Sequence, residues 1–83
     1  MSNREPRTDP DREANELLGA AVAELRRQAG LTQATLAERA KLQEGEIAAL
    51  EAGGLEPTWG DLRRIAYALE VPLPELLERM EGG

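Results

Sequence analysis

The side chains that could carry chemistry in this sequence form a short inventory. It has no histidine and no cysteine, which removes imidazole acid–base catalysis, thiolate nucleophiles, disulfides and the commonest zinc ligands together. Catalysis would fall to carboxylates, the single lysine Lys41 or the single tyrosine Tyr67, in a pocket that so short a chain hardly provides. Carboxylates are plentiful, but no loop spaces them as a calcium-binding EF-hand does. No enzyme activity, metal or cofactor is therefore expected. What remains is a set of polar and charged residues clustered in mid-sequence: Thr32, Gln33, Lys41, Gln43, Glu44 and Glu46. These suit hydrogen bonding and charge recognition rather than bond making.

The elements that must position them follow from periodicity. Leu17, Leu18, Ala21, Val22 and Leu25 recur at spacings of three and four, one apolar face of a helix beginning near Asp11 and stopped by Gly30. Thr32 is a good N-cap for a short second helix over 33–40, with Leu36, Ala37 and Ala40 inward. Lys41, Leu42 and Gln43 connect it, with neither proline nor glycine, to a third helix over 44–51 that buries Ile47 and Leu50. That helix closes at Ala52-Gly53-Gly54. Thr58 and Asp61 have the spacing of a capping box and open a fourth helix with the stripe Leu62, Ile65, Ala66 and Leu69. Val71-Pro72 breaks it, and a fifth starts near Leu73 with Pro74 in its first turn. No run alternates with period two, so no strand is expected. Connections this short predict a compact all-α, five-helix bundle over residues 11–83, preceded by a disordered polar arm over residues 1–10.

Composition constrains the partners. The chain has 83 residues, enough for one domain, and 41% are hydrophobic while only 2% are aromatic. Its core must be built from Leu, Ile, Val and Ala. A domain of this size leaves much of its surface unburied, so a dimer contact would add useful stability. Ten basic residues against sixteen acidic give a net charge of −6, which argues mildly against a polyanionic partner. The first sixteen residues hold three basic and five acidic side chains, so the acidity is not confined to the arm. The apolar stretches are too short for a membrane span and the N-terminus is not signal-like, so a cytoplasmic protein is expected.

The segment Leu31–Pro57, LTQATLAERAKLQEGEIAALEAGGLEP, resembles the Cro/repressor (phage repressor-like, XRE) helix-turn-helix family. Leu31, Thr32, Gln33, Leu36, Ala37, Ala40, Ile47, Leu50, Glu51, Gly53 and Pro57 match the family pattern, and the likeness runs over roughly residues 17–78. It implies a lambda-repressor-like fold and a sequence-specific DNA-binding transcriptional regulator, weak alone or dependent on a partner. In such relatives the second motif helix enters the major groove of double-stranded DNA. Carried over, Thr32 and Gln33 meet phosphate or the groove edge, while Gln43, Glu44 and Glu46 stand at the reading edge, with Lys41 nearby. Arg26 and Glu51 occupy the positions of a structural ion pair.

This chain departs from the family where bases are read. Glu44, Gly45, Glu46, Ala48 and Ala49 replace the usual basic and amide side chains, and the loop Ala52–Leu55 has no lysine or arginine. A glutamate can accept from a cytosine amino group, but each also repels phosphate, and the helix dipole, which favours acidic residues in a first turn, is the preferred explanation of both. Arg27, Arg39 and Lys41 lie near enough to restore some attraction. The alternative is a module that keeps the fold without binding DNA, using exposed Leu55, Trp59 and the acidic third helix to meet a protein. Leu73, Leu76, Leu77 and Met80 line one side of the last helix and, with Trp59, are candidates for a homodimer or partner contact. The same leucines would serve equally to close the monomer core.

Overall fold

A computed structural model describes residues 10–82; the arm expected over residues 1–10 lies outside them but for Pro10. Five helices follow one another: α1 (Pro10–Gln28), α2 (Gln33–Ala40), α3 (Glu44–Glu51), α4 (Trp59–Leu69) and α5 (Leu73–Gly82). Among the described residues there is no strand. Helix α1 packs against α3 and α5, α2 against α3 and α4, and α4 against α5.

The starts and stops are set locally. Thr32 caps α2 by accepting the Thr35 N–H at 3.0 Å. Thr58 and Asp61 close a full capping box on α4, at 3.0 and 3.2 Å. Four helices end in the same double hydrogen bond, the Schellman closure. Leu31 N–H reaches the Arg26 carbonyl, Leu42 that of Ala37, Gly54 that of Ala49 and Val71 that of Ala66. The closure needs one left-handed residue, supplied by Gly30 and Gly53 after α1 and α3. After α2 and α4 it is supplied by Lys41 (φ 60°) and Glu70 (φ 62°). Three of the four closures then turn an apolar residue, Leu31, Leu42 or Val71, onto the core.

The core is aliphatic throughout. Leu36, Ile47, Leu50, Ile65, Leu76 and Val22 are its largest fully buried members, and no polar side chain among the described residues is buried with them. Each such leucine or isoleucine contributes about 1.5–3 kcal/mol relative to exposure. Two expectations about surface residues need correction. Leu17 is 45% exposed, because it lies about 100° around α1 from Leu18 and off the inner stripe. Leu55, expected to be exposed, instead packs against the core from the α3–α4 loop.

One contact fixes the tilt of α1. Gly19 is buried in mid-helix, and a Cβ there would fall on the carbonyl oxygens of Leu50 and Glu51. Helix α1 thus crosses the C-terminal end of α3 at backbone-to-backbone distance. That crossing brings Arg26, two turns further on, level with the end of α3.

Candidate nucleic-acid interface

A buried-edge network joins α1, α2 and α3. Arg26 donates to both oxygens of Glu51, from Nε at 2.7 Å and from Nη2 at 3.1 Å. Its Nη1 donates to the Leu31 carbonyl at 2.9 Å, just ahead of α2. The Glu51 hydrogen bonds hold the Arg26 pKa above its ordinary value; burial works the other way, and the Glu51 charge adds to the upward shift. The side chains are only 13% and 7% exposed. This bidentate pair sets the end of α1 against the start of α2 and the end of α3 at once.

Gln33 joins the same network, its Nε2 donating to Glu51 Oε1 at 2.9 Å. The sequence offers no cue to this bond, since the partners are 18 residues apart and on different helices. Gln33 is half-buried, and one of its amide hydrogens is spoken for within the fold. Thr32 is exposed, with its hydroxyl donating to Thr35 Oγ1 at 3.0 Å while it caps α2.

The start of α3 faces solvent. Gln43 is its N-cap, and the Gln43 N–H donates to Glu46 Oε1 at 2.8 Å. Glu46 therefore has a structural task, which does not depend on any ligand. Glu44, Gly45 and Glu46 are exposed, and Ala48 and Ala49 are half-buried. A side chain at Gly45 would meet nothing within 4 Å. The outer face of α3 is thus small, open and acidic. Lys41, exposed at the α2–α3 turn, is the nearest cation in sequence.

The proposed contact residues of the last helix divide. Leu76 is fully buried in its own chain, and Leu73 and Met80 pack against the same core; Leu77 is half-buried. Trp59 stands 65% exposed at the first position of α4. It borders a shallow cavity of about 230 Å³ between α1, α4 and α5, with Leu18, Pro57, Leu62 and Met80 among its walls.

The arrangement of a short capped helix, a tight turn and a second helix with a free outer face is matched by a family model described as a helix-turn-helix domain, over residues 17–80. The chain belongs to the helix-turn-helix family, in its Cro/repressor-like branch. Among solved structures, this helix-turn-helix chain is similar to the clp gene regulator ClgR from Corynebacterium glutamicum. The TM-score is 0.81 at 29% identity, covering 95% of this chain and 78% of that one. It is also similar to the restriction-modification controller protein C.AhdI from Aeromonas hydrophila, with TM-score 0.73 and 29% identity over 75% of this chain and 94% of that one. A second controller protein, C.Esp1396I, shares the fold at 23% identity and TM-score 0.78, over 83% of this chain and 91% of its own. No curated protein sequence matches the chain significantly.

Proposed function

We propose that this helix-turn-helix protein is a DNA-binding transcriptional regulator that lays α3 in the major groove and brings the start of α2 to the phosphates. The observation that carries the reading is the family match over residues 17–80 combined with an α3 whose outer face is left open by the fold. The likeness to a clp gene regulator and to a restriction-modification controller protein supports a regulatory role. Thr32, Lys41 and Gln43 are the polar contacts in this reading, and Gln33 contributes its remaining amide valences. Glu44 and Glu46 stand at the groove floor, where a cytosine amino group is the base feature that suits them. The protein acts in the cytoplasm as a homodimer, which matches two half-sites one helical turn apart. Since Leu76 is spent inside the monomer, the dimer contact draws on Leu17, Trp59 and Leu77.

The test is fluorescence anisotropy of the purified chain against mixed-sequence duplex DNA, from very low to physiological salt. Binding that weakens steeply as salt rises supports the reading. Absence of binding at the lowest salt overturns it.

A further inference from the structure

The chain is acidic overall, with net charge −6, yet three of the five described cations outside ion pairs, all but Arg12 and Arg27, lie together. Among the described residues Arg26, Arg64 and Arg79 are held in ion pairs. Arg39, Lys41 and Arg63 have no carboxylate partner there, and all three border one shallow cavity of about 350 Å³. It lies between the C-terminal end of α2 and the outer face of α4. Gly60, Arg64 and Tyr67 complete the lining, and no acidic side chain takes part in it.

The patch is organised, not merely charged. Arg64 Nε donates to the Ala40 carbonyl at 3.1 Å, and its Nη2 is paired with Asp61. The remaining nitrogen, Nη1, lies beside Gly60, so close that a Cβ there would sit 3.5 Å from it. Tyr67 is 83% exposed and offers its phenol at the rim. Lys41 occupies a left-handed position of the kind that glycine fills after α1 and α3. A cation is kept where the backbone favours a residue without a side chain.

Charge complementarity calls for a polyanion, and position decides which. Lys41 lies two residues before Gln43, the N-cap of α3, so the patch is continuous with the leading edge of that helix. The outer face of α3 and the loop behind it bring no cation at all, although phosphate neutralisation supplies essentially all non-specific affinity for a duplex. We infer that Arg39, Lys41 and Arg63 form the chain's phosphate grip, binding the DNA sugar–phosphate backbone beside the groove that α3 enters. The grip stands on α2 and α4 in place of the cation-free loop after α3. This rests on the DNA-binding reading above.

The test compares wild type, Arg39→Gln/Arg63→Gln and the control Arg12→Gln in salt titrations against the same mixed-sequence duplex. All three arginines are exposed and unpaired among the described residues, and a thermal melt verifies that each variant folds. The double variant is expected to bind every sequence more weakly and to lower the slope of log K against log salt by about 1.8, roughly 0.9 for each phosphate no longer neutralised. The control is expected to leave the slope unchanged. An unchanged slope in the double variant overturns the grip while leaving DNA binding standing, and so does an equal loss in Arg12→Gln. If the double variant keeps its DNA affinity but loses binding to a labelled poly-glutamate peptide, the patch serves an acidic protein and the inference fails. Absence of wild-type binding at the lowest salt overturns both readings together.

Discussion

Glu51 accepts three hydrogen bonds from two other helices, two from Arg26 and one from Gln33. A single carboxylate therefore ties α1, α2 and α3 together. Replacing it leaves a largely buried guanidinium without its counter-charge, and removing one partner of such a pair is far costlier than the pair's net worth. Glu51→Ala is expected to destabilise the fold by about 3 kcal/mol, a fall in Tm of roughly 12–24 °C for a domain of this size, measured by circular dichroism. Because the Arg26 pKa is raised, its share of that stability is complete through neutral pH and is lost only as pH climbs through the raised, strongly alkaline value. Lys41 poses the opposite case. Its left-handed backbone costs about 1–2 kcal/mol, part of which glycine would return through its own chain entropy. Lys41→Gly is expected to raise stability by about 0.5–1 kcal/mol while weakening DNA binding. Glu70→Gly, at the equivalent closure of α4, gains the same stability without the loss. Equal DNA affinity in Lys41→Gly and wild type would show that the lysine has no part in binding.

The helices and their joints are largely legible in the sequence, for reasons that particular residues make plain. Thr32, Thr58 with Asp61, Gly30 and Gly53 each act within four residues of their position, so sequence alone carries their meaning. Lys41 and Glu70 close helices in the same way but bear no compositional mark of a left-handed residue, and only Leu42 and Val71 behind them hint at it. The candidate site is proposed as a location, through the motif, and its internal contacts are not legible. The Gln33–Glu51 bond and the meeting of Lys41 with Arg63 both depend on how separate helices pack. Gly19 is the sharpest instance, since a lone glycine in a helix reads as a weak spot. Its reason lies on α3, whose last carbonyls occupy the space of a side chain. Alanine is the better helix former by about 1 kcal/mol, so propensity alone predicts that Gly19→Ala stabilises. The crossing adds an overpacking cost of about 1–3 kcal/mol against backbone that cannot yield, for a net loss of up to about 2 kcal/mol. Urea denaturation separates the two by the sign of the change.

At the scale of the whole molecule, the fold is suited to bind DNA while its field resists it. A net charge of −6 opposes approach to a polyanion at any distance within the screening length, and Glu44 and Glu46 lie on the face that approaches first in the proposed DNA-binding reading. Their replacement tests how much of that field is local. Glutamine at 46 can still accept from the Gln43 N–H, as glutamine does in capping boxes, so α3 keeps its start. The cost is the loss of two charges that favour the helix dipole, about 0.3–1 kcal/mol each. Against that, a unit charge about 8 Å from a phosphate is repelled by about 0.5 kcal/mol in water. Glu44→Gln/Glu46→Gln is therefore expected to melt slightly earlier yet bind mixed-sequence duplex about fivefold more tightly at low salt, the gain shrinking as salt rises. Anisotropy at two ionic strengths, beside a melt, measures both. If affinity is unchanged while stability falls as expected, the glutamates act only on their own helix and α3 does not approach the phosphates. If affinity falls, one glutamate is accepting a hydrogen bond from a base, and the loss should then be confined to duplexes rich in cytosine–guanine pairs.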